Sequence, residues 1–206
     1  MHVQDGVVPL ATWGLGWGAA TVLTAACLPR LKDASPPRVA MMTSTFFVAS
    51  LLSFPVAGTS VHLSLIGLCG VVLGRAAFPS ILVGVALQFA LFGHGGASTV
   101  GLNATSMGSG ALIAAALYHS GTPSVARAVV AAVLGTVTAI SLFGAAMLSA
   151  GHALRAVAYA SILVHLPVIA IEAVVTAAAV RFLLRVQPDL VGLTPGVPGS
   201  TPDVPK

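Results

Sequence analysis

Residues 128–150 read AVVAAVLGTVTAISLFGAAMLSA, 23 positions without a single charge. An α-helix rises 1.5 Å per residue, so about 20 apolar residues carry the chain across a hydrocarbon layer about 30 Å thick. This stretch is therefore read as a membrane span. Working outward from it, six further apolar segments emerge: Leu10–Leu28, Val39–Ala57, His62–Gly74, Ala76–Gly93, Ser98–Tyr118 and Ala156–Val180. His62–Gly74 is short and contains Gly67 and Gly70, which predicts a helix buried among its neighbours or one that does not cross fully. The expected fold class is all-α, a polytopic membrane helical bundle of about seven transmembrane helices. Composition agrees: 57% of residues are hydrophobic and 7% charged, against about 25% charged in a soluble domain.

Lys and Arg accumulate on the cytoplasmic side of membrane proteins. Placing the N-terminus outside makes Arg30, Lys32, Arg38, Arg75, Arg127, Arg181, Arg185 and Lys206 cytoplasmic and leaves Arg155 as the exception. An odd number of crossings then puts the C-terminus in the cytoplasm. The chain divides into an extracellular segment 1–9, a transmembrane domain 10–185, and a Pro-, Gly- and Thr-rich stretch 186–206 expected to be a flexible cytoplasmic tail. The net charge of +4 comes from basic residues scattered singly between apolar runs. No basic patch forms, so membrane lipid and not nucleic acid is the expected partner. Cys27 and Cys69 lie inside apolar runs and are read as packing residues. No Lys or Arg precedes Leu10, unlike the basic start of a cleavable leader, so Met1 is expected to begin the mature chain, with His2 protecting it from excision.

This topology gathers His2, Asp5, His62, His94 and His152 near the outer face and leaves Cys27, Arg30 and His119 at the inner one. The chain starts MHVQDG, and a free α-amine, the amide nitrogen of His2 and its imidazole can close a five-membered and a six-membered chelate ring around one cation. Neutral His62 would add a fourth nitrogen. A square-planar nitrogen set favours Ni(II) or Cu(II), with Co(II) also accommodated. The amine titrates at about 7.7–8.0 and free imidazole at about 6.5, so binding is expected to release protons and to weaken in acid. His94 and Asp5 are candidates to orient a ligand imidazole.

These residues resemble a known family. MHVQDG is similar to the Met-His-x-x-Asp-Gly opening of the CbiM/NikM family, the substrate-capture (S) components of energy-coupling-factor (ECF) cobalt and nickel importers. GTSVH (58–62) resembles its Gly-Thr-x-x-His segment, QFALFGHGG (88–96) its Gln-x-x-Leu-Phe-Gly-x-Gly-Gly segment, and VGLNATSM (100–107) its Leu-Gly-x-Asn-x-x-x-Met segment. The match spans Met1 to Leu112. The resemblance implies a seven-helix subunit whose first segment inserts into the extracellular mouth of the bundle, with metal ligands Met1, His2 and His62 and with Asn103 supporting them. It implies transported Co(II) or Ni(II) and no catalytic cofactor, for cobalamin biosynthesis or nickel enzymes. His94 stands where the family has Asp, Ser106 where it has a second Asn, and Arg75 where it has Pro.

No Gly-x-x-x-x-Gly-Lys-[Ser/Thr] loop occurs, so ATP hydrolysis by that route is excluded. The chain is expected to be a transport subunit and not an enzyme. The resemblance implies ATPase subunits, a coupling transmembrane subunit and a small auxiliary membrane subunit as partners. Gly14, Gly18, Thr21 and Ala25 form a small-residue stripe that suits close helix packing, within the bundle or against a coupling subunit. His165 and Glu172 are an intramembrane ionisable pair on one helix face, which suggests a structural hydrogen-bonded pair or a proton path. Two alternatives stand beside transport. An intramembrane hydrolase would use Ser60 near His62 or Ser98 near His94, and a structural subunit of another membrane complex would need no metal.

Overall fold

The computed structural model describes residues 2–56 and 59–192. Seven α-helices form among them: α1 (Leu10–Asp33), α2 (Pro36–Leu51), α3 (Ile66–Leu73), α4 (Ala77–Phe92), α5 (Val100–His119), α6 (Val125–Ser149) and α7 (Arg155–Val186). A 3-10 turn, Gly74–Ala76, joins α3 to α4. With α3 and α4 taken as one run, Ile66–Phe92, five segments are long and apolar enough to cross a membrane. Large apolar side chains face outward along them, Leu15 at 75% and Val174 at 68% exposure. Such surfaces are unstable in water and at home in lipid, and the protein is a multi-pass membrane protein of the cell membrane.

The helices are not alone. The expected segment Val39–Ala57 ends early: α2 stops at Leu51, and Ser53–Val56 (β1) pairs antiparallel with Thr59–His62 (β2), Ser53 opposite His62. Pro55 explains the break, since proline cannot continue a helix hydrogen-bond ladder yet fits an isolated hairpin edge. All eight residues of α3 are buried, the first of the two outcomes expected for the short segment.

α5 is the axis of the bundle, packed by α1, α3, α4 and α6. Close approach of α5 and α6 depends on missing side chains: a Cβ on Gly110 would sit 2.5 Å from the Gly135 carbonyl oxygen. Small residues at such crossings let backbones touch, which drives association where lipid removes the hydrophobic difference. The stripe on α1 behaves otherwise. Gly14, Gly18, Thr21 and Ala25 are all exposed, and it is Gly16, between the first two, that packs on Leu102. The stripe is therefore not an internal packing surface.

At the end where α1 and α5 finish, Arg30, Arg38, Arg75 and His119 line a cavity of about 890 Å³. The start of the expected tail packs against the bundle: Pro188–Leu190 forms a 3-10 turn and Val191 is 1% exposed. The rest of that stretch, 193–206, lies outside the described residues. Cys27 and Cys69 are buried free thiols.

Candidate metal centre

The opposite end of the bundle is built from three pieces of chain without transmembrane helix: the arm before α1, the hairpin strand β2, and the loop from α4 to α5. The arm is held through its main chain. Asn103, 1% exposed, accepts from the Val3 amide at 2.9 Å and donates to the Val3 carbonyl at 3.1 Å, and Thr99 Oγ1 donates to the same carbonyl at 2.6 Å. Asp5 grips the loop from outside, accepting from the amides of Ala97 and Ser98 at 3.0 Å each and from Ser98 Oγ at 2.5 Å. The Ser98 hydroxyl beside it holds the Asp5 carboxyl below its ordinary value, and the two amides add to this. Gly96 makes the seat possible, because a Cβ there would lie 2.1 Å from the Asp5 carboxylate.

Clamped this way, His2 meets the other histidines. Its ring centroid is 5.0 Å from that of His62 and 5.9 Å from that of His94. His62, at the end of β2, is 2% exposed. Burial pushes the His2 pKa down to about 3, with the charge of His94 acting the same way. Burial pushes His62 well below the usual imidazole range. Both rings are thus neutral at physiological pH, the form in which imidazole binds a metal.

Gln88 decides which nitrogen of His2 is available, and the sequence reading assigned it no role. Its amide nitrogen donates to the Phe47 carbonyl at 3.3 Å, which turns its oxygen toward His2 Nε2 at 2.9 Å. Nε2 therefore carries the proton, and Nδ1 keeps a lone pair beside the main chain. Nδ1 is the atom that closes a six-membered ring with the residue's own amide nitrogen. The available signal was an amide side chain in a helix that is apolar apart from Ser80 and Gln88, since such a side chain, once buried, must find partners.

The hairpin is fixed by a residue 108 positions further on. Glu172 of α7, 1% exposed, accepts from the Ser64 amide and Ser64 Oγ at 2.6 Å each, from the Leu65 amide at 2.9 Å, and from Thr136 Oγ1 of α6 at 2.6 Å. Leu65, the first residue before α3, has φ 53°, a left-handed conformation that costs a leucine about 1–2 kcal/mol. The carboxylate holds it there and so sets the exit of β2 just after His62.

Several expectations resolve on this geometry. Asp5 orients the arm and not an imidazole. Asn103 acts on the main chain of Val3. Ser98 spends its hydroxyl on Asp5, so it makes no nucleophile–base pair with His94. Glu172 and His165 do not bond each other: His165 Nδ1 faces the Ser161 carbonyl at 2.5 Å, two turns from the carboxylate. His152 stands exposed on a 3-10 turn before α7. Met1 lies outside the described residues, and the side chain of Ser60 is not described. Among the described residues no group of three His, Cys, Asp or Glu side chains could hold an ion alone.

A family model described as CbiM, cobalt uptake substrate-specific transmembrane region, matches residues 2–190. The chain belongs to the CbiM family. A metal transport protein of Haemophilus influenzae is 31% identical over 94% of this chain and 98% of its own length. The cobalt transport protein CbiM of Sorangium cellulosum is 32% identical over 92% and 94%. A fused nickel transport protein, NikMN, of Rhodobacter capsulatus is 30% identical over 92% of this chain and 63% of its own length. A crystal structure of a truncated transition metal transporter superposes with TM-score 0.81 over 90% of this chain and 99% of that one at 21% identity, sharing the fold. The family is a component of metal transport and not an enzyme class.

Proposed function

We propose that this chain captures Co(II) or Ni(II) at the extracellular face of an energy-coupling-factor importer. The α-amine of Met1, the amide nitrogen and Nδ1 of His2, and the imidazole of His62 hold the ion. Asn103, Asp5 and Gln88 fix the arm and its ring, and His94 stands beside His2 as a further polar neighbour. The observation that carries this reading is the meeting of His2 and His62 at 5.0 Å with His2 Nδ1 left available by Gln88. Because burial has already stripped both rings of protons, acid competes at the main-chain nitrogens first.

The N-terminus lies outside and the C-terminus in the cytoplasm, with seven crossings. The cavity lined by Arg30, Arg38 and Arg75 at the far end supports that orientation, since cations accumulate inside. Energy comes from partner ATPase subunits through a coupling transmembrane subunit, with a small auxiliary membrane subunit completing the complex. The exposed stripe of Gly14, Gly18, Thr21 and Ala25 on α1 is the surface offered to the coupling subunit. The cargo serves cobalamin biosynthesis or nickel enzymes.

The test is to place two residues ahead of Met1 in the purified protein and measure Ni(II) and Co(II) binding calorimetrically. The amine moves while every side chain stays. Affinity should fall by at least about a hundredfold, roughly 2.7 kcal/mol. Equal affinity in the extended and original proteins overturns the chelate.

A further inference from the structure

The cavity of about 890 Å³ at the far end of the bundle takes no part in the metal centre. Its size falls in the range of about 300–1,000 Å³ that holds a small ligand. Basic residues that stand singly in the sequence are gathered here by the fold. Arg30 comes from the last turn of α1, Arg38 from the first turn of α2, and Arg75 from the 3-10 turn between α3 and α4. His119, the last residue of α5, adds an imidazole. Asp33 and Asp189 line the same cavity but are exposed, and among the described residues neither pairs with a guanidinium. Arg38 Nε and His119 Nε2 are buried with no hydrogen-bond partner, although buried polar groups ordinarily find one. Three guanidiniums repel a metal cation and suit an anion, and their forked donors match the oxygens of a phosphate.

The cavity changes character with depth. Leu23 and Leu112 line it two turns closer to the bilayer centre than Arg30 and His119, about 10 Å along the helix axes. Ala26 and Ala116, at intermediate depth on the same two helices, line it too and are exposed, on a surface that lipid covers. The charged rim thus stands where the helices end, at the level of headgroups, and the apolar wall stands at the level of hydrocarbon. A free phosphate ion would use the rim alone. A phospholipid uses both parts, and basic pockets between transmembrane helices are suited to anionic headgroups.

We propose that this cavity binds an anionic phospholipid. Arg30, Arg38, Arg75 and His119 hold its phosphate, and an acyl chain lies against Leu23 and Leu112. A zwitterionic headgroup would bring its own ammonium among the guanidiniums and is disfavoured by repulsion.

The full-length protein, purified in detergent, is titrated with dioleoylphosphatidylglycerol, dioleoylphosphatidylcholine or inorganic phosphate, and bound molecules are counted by native mass spectrometry. One phosphatidylglycerol should bind at least about tenfold more tightly than phosphatidylcholine, and an excess of inorganic phosphate should not displace it. Arg30 and Arg75 are exposed, so Arg30→Gln combined with Arg75→Gln leaves core packing alone and should weaken phosphatidylglycerol binding about 30-fold. If that double variant does not fold, Arg75→Gln by itself, with an expected loss of about fivefold, decides the matter. Arg181→Gln combined with Arg185→Gln removes two cations of α7 that lie outside the cavity and should change binding by no more than about threefold. Equal binding of the two lipids, an equal loss in the α7 variant, or no loss in the cavity variant overturns the proposal. Displacement by inorganic phosphate overturns the lipid assignment in favour of a soluble phosphate.

Discussion

His2 and His62 are each held by a polar side chain that grips the main chain a residue or more further on, but the two grips differ in kind. Asn103 holds Val3 with neutral amide hydrogen bonds, each worth about 0.5–1.5 kcal/mol net. Glu172 holds Ser64 and Leu65 with a carboxylate that also reaches Thr136, and charged hydrogen bonds in low dielectric are roughly twice as strong. The arm is thus seated by neutral hydrogen bonds inside and by the Asp5 carboxylate only on the exposed rim, whereas the hairpin is fixed to α6 and α7 by a buried carboxylate. The charge that holds one half of the mouth is buried, and the charge that holds the other is open to water.

The sharpest way to break this contrast is to remove the strong grip. Glu172→Ala strands buried donors at Ser64, Leu65 and Thr136 and should destabilise the protein by about 3–5 kcal/mol, read as a fall in thermal midpoint in detergent, with loss of Ni(II) binding. Glu172→Gln keeps acceptor capacity and should cost about 1–2 kcal/mol. Equal midpoints for both variants and the original chain would erase the distinction. Next in size is Asn103→Ala, which frees the Val3 amide while Thr99 still holds its carbonyl. Ni(II) affinity should drop about 10–100-fold with a midpoint change near the limit of detection.

The smallest effect is at Asp5, on the exposed rim. Its folded pKa is held below the ordinary value of 3.8, so its contribution to seating the arm is complete above that value and is lost as pH falls through the lowered one. Trp17 reports on this directly, because its indole N–H donates to the Ser98 carbonyl at 2.8 Å. Tryptophan emission should stay flat from neutral pH to about 4 and change below it, and Asp5→Asn should remove that acid transition. A transition centred near neutrality would point to another group.

Much of this design is legible in the residues and some is not, for physical reasons. Uncharged runs such as 128–150 announce helices because lipid leaves the backbone few other choices. The charge bias sorts His2, His62 and His94 to one end before any coordinates exist. The hairpin is hidden, because the apolar stretch after Leu51 continues the helix pattern and only Pro55 interrupts it. The Glu172 anchor is hidden more deeply, since no local period links residue 172 to residue 64. Gln88 was in plain view as a polar side chain in an apolar helix, but its message concerns the tautomer of a residue 86 positions away. The α1 stripe shows the limit of spacing rules: small residues mark a face, and only packing tells whether that face looks in or out.

The Glu172 anchor has a consequence for biogenesis. His2 lies well ahead of Glu172 in the chain and leaves the ribosome before it, yet the wall that receives His2 is set only when α7 is in place. A truncated or incompletely inserted product carries His2 but no formed pocket for it. Such fragments would be poor traps for scarce metal, and the finished molecule alone would compete for it.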